Sequence, residues 1–203
     1  MASEKCPRLN DQSIVLGWTP LGPKGYEDEQ GLPTGSVIEL YREVITELGC
    51  TPEFRRAPWK RMLIEVETGI VDVIPYSSYV PARTQYGIFS KPYDYSISKL
   101  FSLGQSHPLD LSTLNNLTKT NMVIGWVRGA WHGPEFEAFR KQYASSHITA
   151  VSNADKLVEL LLHKHVDLII HPENLTKKVI AGDSRYHNVH AYPGWSHSEP
   201  IYF

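Results

Sequence analysis

Arg83 follows Pro81 in a stretch that also carries Tyr76, Ser77, Ser78 and Tyr79. A guanidinium presents parallel N–H donors that fit a carboxylate two at a time, so an arginine on a loop over a rigid scaffold is a candidate anion clamp. The competing reading is an ordinary surface arginine in a turn. Trp18, Trp59, Trp126 and Trp131 fall at or just past segments that read as strands. There an indole either covers the apolar part of a ligand or packs into the core. His163, His165 and His171 with Glu173 invite a metal reading, yet residues two apart do not share a helix face, and no His-Glu-x-x-His or Cys-x-x-Cys set accompanies them. The chain also lacks a Gly-x-Ser-x-Gly elbow, a Gly-x-x-x-x-Gly-Lys-Ser/Thr loop and a dinucleotide fingerprint, so hydrolase, nucleotide and NAD chemistry are without their parts. Ligand binding without a cofactor is the reading that remains. The enzymatic alternative is a lyase with Glu173 as general acid.

The bulk numbers agree with binding. The 203 residues carry a formal charge of -2, with 41% hydrophobic and 21% charged residues. Such a chain offers no basic face for nucleic acid, and it has no run of about 18 apolar residues to insert in a bilayer. The opening Met1-Ala2-Ser3-Glu4-Lys5 has no apolar leader, as a mature exported chain would also look. Cys6 and Cys50 allow two readings, a disulfide joining the approaches to two neighbouring strands or two independent buried thiols.

These residues need elements to hold them, and the chain supplies two similar sets. Ile14-Val15-Leu16-Gly17-Trp18 is echoed by Met122-Val123-Ile124-Gly125-Trp126, and Val71-Asp72-Val73-Ile74 by Val166-Asp167-Leu168-Ile169. The first half reads as strand 13–18, loop 19–35, helix 36–48, strand 52–56, helix 58–67 and strand 71–75. The second reads as strand 121–126, helix 134–143, strand 147–151, helix 154–163, strand 166–170 and a short helix 173–181. Such alternation predicts an α/β fold of two lobes, each a mostly parallel sheet flanked by helices. The predicted division is 12–97 for lobe one, 98–110 for an extended hinge and connector, 111–195 for lobe two and 196–203 for the start of a return crossover. Ligands bind beyond the carboxyl ends of parallel strands, which selects the loops 19–35, 57–60, 76–84, 127–133 and 171–174.

The run Gly69-Ile70-Val71-Asp72-Val73-Ile74, then Arg83, then Phe89-Ser90-Lys91-Pro92-Tyr93 resembles the signature of the polar amino-acid branch of periplasmic solute-binding proteins, bacterial extracellular family three. Ala57-Pro58-Trp59-Lys60-Arg61 is similar to its segment before a helix, and Leu114-Asn115-Asn116-Leu117 with Arg128-Gly129 to its passage into lobe two. The resemblance implies a type-two binding-protein fold, hinge closure on a small solute, a periplasmic location and a membrane transporter as partner. It also implies residue roles. Arg83 clamps a carboxylate, and Ser78 adds its backbone N–H. Tyr76 offers its carbonyl to an amine, Trp59 covers the side chain of the ligand, and Trp131 donates a backbone N–H from lobe two. Trp18 is a further cover, and Arg128 and Glu173 complete the lobe-two set.

Two departures stand out. The position where amino-acid binders carry an acid for the ligand ammonium is Pro172, with Glu173 beside it. Either Glu173 takes over the role or the ligand has no α-amine. The chain also ends at Phe203, before the segment that completes lobe one in relatives, so apolar surface on lobe one is expected to be uncovered. A receptor portion of a membrane signalling protein is the alternative to transport.

Overall fold

A computed structural model of the chain describes residues 6, 13–104, 109–143, 147–182 and 184–203. They fall into two compact units, Met1–Tyr93 with Ile201–Phe203 and Asp94–Pro200.

Unit one begins with β1 (Ser13–Trp18), followed by a small hairpin of β2 (Tyr26–Glu27) and β3 (Pro33–Thr34). Helix α1 (Ser36–Glu47) buries Val37, Ile38, Tyr41 and Ile45, the 3.6-residue spacing of one face, and Gly49 at φ 73 ends it. Strand β4 (Thr51–Arg56) pairs parallel with β1, Ser13 opposite Thr51. Helix α2 (Trp59–Glu67) follows Pro58 and turns Trp59, Met62 and Leu63 inward. Strand β5 (Ser77–Ser78) is a two-residue piece of sheet. One carboxylate crosses this packing: Glu65 is buried between Arg55 and Arg61, at 2.7 and 2.8 Å, and the Arg55 bond holds its carboxyl down at about 2.

Unit two holds β6 (Asp94–Leu103), β7 (Ile124–Val127), α3 (Pro134–Tyr143), β8 (Ile148–Val151), α4 (Ala154–Leu162), β9 (Leu168–Pro172), α5 (Glu173–Gly182) and β10 (Val189–Tyr202). Its sheet runs β10-β6-β9-β7-β8, with β7 parallel to β8 and β9 and with β6 antiparallel to β9. The core gathers Leu100, Leu114, Ile124, Trp126, Phe136 and Leu168. The last residues of β10 belong to unit one, where Ile201 and Tyr202 pair antiparallel with Ser78 and Ser77.

The repeated sequence pattern has a physical cause at two places. A Cβ on Gly17 would lie 2.8 Å from Val71 Cγ1, and one on Gly125 2.9 Å from Leu157 Cδ1, so each glycine lets neighbouring side chains settle onto the strand. The repeated aspartates are equally matched. Val15 N donates to Asp72 Oδ2 and Val123 N to Asp167 Oδ2, both at 2.8 Å, while the backbone N–H groups of Asp72 and Asp167 return bonds to the Val15 and Val123 carbonyls. Hydrogen bonds to a charged group contribute about 1.5–3 kcal/mol when shielded. Asp72→Ala is therefore expected to cost about 2 kcal/mol in urea unfolding, and Asp167→Ala, whose bond is exposed, less than half of that. Equal losses would show that shielding does not set the difference.

The structure departs from the sequence reading in four places. Residues 71–75 form no strand of their own but touch β1 through the isolated bridge Leu16–Val73, because the backbone there is taken up with the Val15 turn of bonds. The loop 19–35 contains the β2–β3 hairpin. The hinge and connector read at 98–110 begins inside the ten-residue β6, in the sheet of unit two. The return crossover at 196–203 lies mostly within the fourteen-residue β10. Residues 105–108 of the connector read at 98–110 lie outside the described residues. Unit one has an open groove of about 840 Å³ with apolar walls from Leu63, Val66, Ile74, Phe89 and Phe203, and Ile88 on it is 99% exposed.

Candidate functional site

In unit one, five of the residues singled out by sequence occupy the ends of β1, β4 and the segments after them. Arg83 lies in a single 3-10 turn, Pro81–Gln85, and is only 8% exposed. Its Nη1 donates to the Ser78 carbonyl at 3.1 Å and to Ser77 Oγ at 3.3 Å, and its guanidinium stands 5.8 Å from the centre of the Trp59 ring. Arg83, Ser78 and Trp59 are thus brought together. A buried arginine anchored to a carbonyl keeps its charge in place, and a fixed charge in a shielded setting is worth more to an anion than one on a mobile surface chain.

Tyr76 is two residues from Ser78 and has φ 56, a left-handed conformation that costs a bulky residue energy and recurs at functional loops. Tyr93 holds it there, its hydroxyl accepting from the Tyr76 N–H at 3.0 Å, and Lys24 Nζ lies 4.9 Å over the Tyr76 ring. Trp18 is placed differently. At 2% exposure it belongs to a core cluster with Leu16, Ile38 and Tyr41, with the Arg56 guanidinium 5.8 Å from its ring. On the far side of the same strand pair, Cys6 and Cys50 are joined in a disulfide at the amino end of β4.

In unit two the loop after β7 carries Arg128, exposed, with its backbone N bonded to the Val151 carbonyl at 2.8 Å, and Trp131, half-buried. Next to Trp131, His132 is 1% exposed. Its Nδ1 meets Ser98 Oγ at 2.8 Å, and its Nε2 has no hydrogen-bond partner among the described residues. Burial, then the charges of His171 and His197, push its pKa down to about 3. His171, at the end of β9, is held down to about 4 by burial against a smaller opposing effect of the Pro172 carbonyl. Thr176 Oγ1 donates to that carbonyl at 2.9 Å and is therefore the acceptor for His171 Nδ1 at 2.8 Å. Both imidazoles are neutral at pH 7.

Glu173 opens α5. Its Oε1 accepts from Lys177 Nζ at 2.7 Å and Lys99 Nζ at 3.1 Å, and the Lys177 bond is the main reason its carboxyl sits below the usual range. Sequence reasoning found Glu173 but not its partners. Lys177 was legible as the i+4 neighbour on a helix, whereas Lys99 arrives through the β6–β9 pairing, with Lys99 opposite His171. Ser77, Ser98 and His132 carried no local signal at all. Among the described residues no group of three or more His, Cys, Asp or Glu is arranged to hold a metal, and no helix is long and apolar enough to cross a membrane.

The fold has close counterparts among solved structures. A histidine kinase sensor domain with similarity to periplasmic binding proteins matches with TM-score 0.79 and 20% identity over 95% of this chain and 81% of that one. The arginine-bound form of truncated ArgBP from T. maritima matches with TM-score 0.78 and 15% identity over 94% and 86%. An ancestral amino acid-binding protein, a precursor of cyclohexadienyl dehydratase, matches with TM-score 0.74 and 18% identity over 94% and 80%. No curated protein sequence matches. The sequence model for bacterial extracellular solute-binding proteins, family 3, matches residues 14–146, most of the chain, and with the binding-protein-like fold around it this places the chain in that family.

Proposed function

We propose that the chain binds a small polar solute bearing a carboxylate, outside the cytoplasm, with no cofactor and no chemistry of its own. The observation that supports this most is the buried Arg83, fixed by the Ser78 carbonyl beside the Trp59 ring. In this reading its guanidinium clamps the carboxylate, the Ser78 N–H adds a donor, Trp59 covers apolar ligand surface and the Tyr76 carbonyl faces the rest of the ligand. Unit two contributes Arg128, Trp131 and the edge around Glu173. Ligand-linked closure then follows from differential contacts made only in the closed state, and a transporter would read that state. The Cys6–Cys50 bridge supports an oxidising, extracytoplasmic location.

A second reading, a ligand-sensing portion of a membrane signalling protein, is favoured by the likeness to the sensor domain of a histidine kinase. The two share the same binding step and differ in what lies downstream.

Calorimetric titration with a panel of small carboxylates tests the binding step. Loss of a desolvated, charge-assisted clamp costs about 100-fold or more in affinity. Arg83→Ala is expected to show at least that loss with its melting curve retained, and Arg83→Lys an intermediate one. Equal affinity in wild type and Arg83→Ala would sink the clamp.

A further inference from the structure

Helix α1 of unit one carries two rows of side chains that its own packing does not use. Its inward face is filled by Val37, Ile38, Tyr41 and Ile45, yet Leu40, Val44 and the C-cap Leu48 stay 37%, 44% and 46% exposed. Spacing of four puts them in one row, about 12 Å long, beside the buried face. Glu39, Glu43 and Glu47, all exposed, form a second row next to it on the side away from the core. Glu39 has a local reason. It lies in the first turn, where the helix dipole favours an acid, and it pairs with Arg42 at 3.3 Å. Glu43 and Glu47 have none. Neither has an ion-pair partner among the described residues, they repel each other four residues apart, and the last turn holds no basic residue against the negative end of the dipole.

The surroundings do not balance them. Arg55 and Arg56 of the neighbouring β4 already pair with Glu65 and Glu27. Burial, then the charges of Asp72 and Glu53, raise the Tyr41 phenol, so the helix packs beside further acid. Its carboxyl end is also held firmly: Cys50 N donates to the Ile45 carbonyl at 3.0 Å, and Cys50 is bridged to Cys6. A fixed surface loses little freedom when something binds to it. We propose that α1 is a docking surface for a partner protein, and that it takes a basic amphipathic helix. Apolar residues of the partner cover the Leu40–Val44–Leu48 row, and its Lys or Arg side chains meet Glu43 and Glu47. Another copy of α1 would bring more glutamate than cation, and an anionic membrane would repel the acidic row.

NMR of the full chain with an amphipathic peptide of leucine and lysine, about 18 residues long so that it can form a helix, tests this. Amide shifts are expected to move along residues 40–48. Glu43→Gln with Glu47→Gln should weaken the peptide at least about tenfold at low salt, and Val44→Gln should weaken it as well. The same peptide with glutamate in place of lysine should not bind. The double Gln variant should also unfold at higher urea than wild type, because the repulsion is gone from the chain without its partner. Shifts that bypass α1, equal binding of the lysine and glutamate peptides, or a double variant that binds as wild type does would overturn the proposal. Dimerisation that Val44→Gln abolishes would overturn it in favour of a second copy, and co-sedimentation with vesicles of phosphatidylglycerol and phosphatidylcholine in favour of a membrane.

Discussion

Reduced protein, or Cys6→Ala with Cys50→Ala, is expected to unfold at markedly lower urea than the oxidised form. The bridge closes a loop of sequence separation 44, and removing that constraint returns about 4 kcal/mol of chain entropy to the unfolded state. The native side adds to the effect. Cys50 is 5% exposed in the cluster formed by β1, α1 and β4, with Cys6 packed against it, so the bridge is anchored in the core of unit one. An unfolding curve that is unchanged by reduction, with thiol titration confirming that the bond is broken, would show that the unfolded chain is held compact by other means. A small unit gains most from such a staple, since a domain of under about 100 residues buries a smaller share of its surface than a larger one.

That pairing was open in the sequence because two cysteines carry no geometry until strand register is known. The parallel register, Ser13 opposite Thr51, is what brings the approaches to β1 and β4 together. The helices were legible for the opposite reason, being local. Val37, Ile38, Tyr41 and Ile45 announce α1 by spacing, Asn153 caps α4 by accepting from Lys156 N, and Gly49 and Gly69 stop α1 and α2. β10 was hidden by its own composition. From Trp195 onward the more buried positions are Trp195, His197, Glu199 and Ile201, so the alternation is present but half of it is carried by ionisable residues. Pro193 and Gly194 add turn signals, although Gly194 at φ 118 is there because a Cβ would meet the Leu111 carbonyl oxygen at 2.6 Å. The candidate site divides in the same way. Arg83, Ser78 and Tyr76 lie on one short stretch of chain and Trp59 opens α2 ahead of it, so motifs of the first half find them. The lysines that neutralise Glu173 and the serine under His132 come from β6, whose place in the sheet no local pattern declares.

Acid is expected to destabilise unit two well above the pH at which its carboxylates titrate. His132 and His171 have folded pKa values of about 3 and about 4, against about 6.5 in an unfolded chain. Between those limits the unfolded chain holds more protons, so stability rises with pH; the contribution is complete above about 6.5 and is lost progressively as the pH falls toward the folded values. At pH 4 the deficit is on the order of a few kcal/mol for the two histidines, which interact and titrate as a pair. His197, lowered in the same direction by burial against the opposing charge of Glu135, deepens it. The cause is geometric. His132 touches Ser98 Oγ and stands nearly perpendicular to the Phe136 ring, with an Nε2 that finds no hydrogen-bond partner among the described residues, so a second proton there would be both desolvated and unpaired. Urea unfolding of the intact protein from pH 7.5 to 4 should therefore show the midpoint falling from about pH 6.5, before Glu and Asp begin to protonate. His132→Gln keeps a hydrogen-bonding group toward Ser98 and removes one titration, and it should flatten the fall between pH 6.5 and 5. A variant whose pH dependence over that interval overlays the wild type would show that the lost stability comes from elsewhere in the chain. In the proposed function Trp131, the neighbour of His132 in the loop after β7, binds ligand, and on that proposal the same protonation is expected to weaken ligand binding as well.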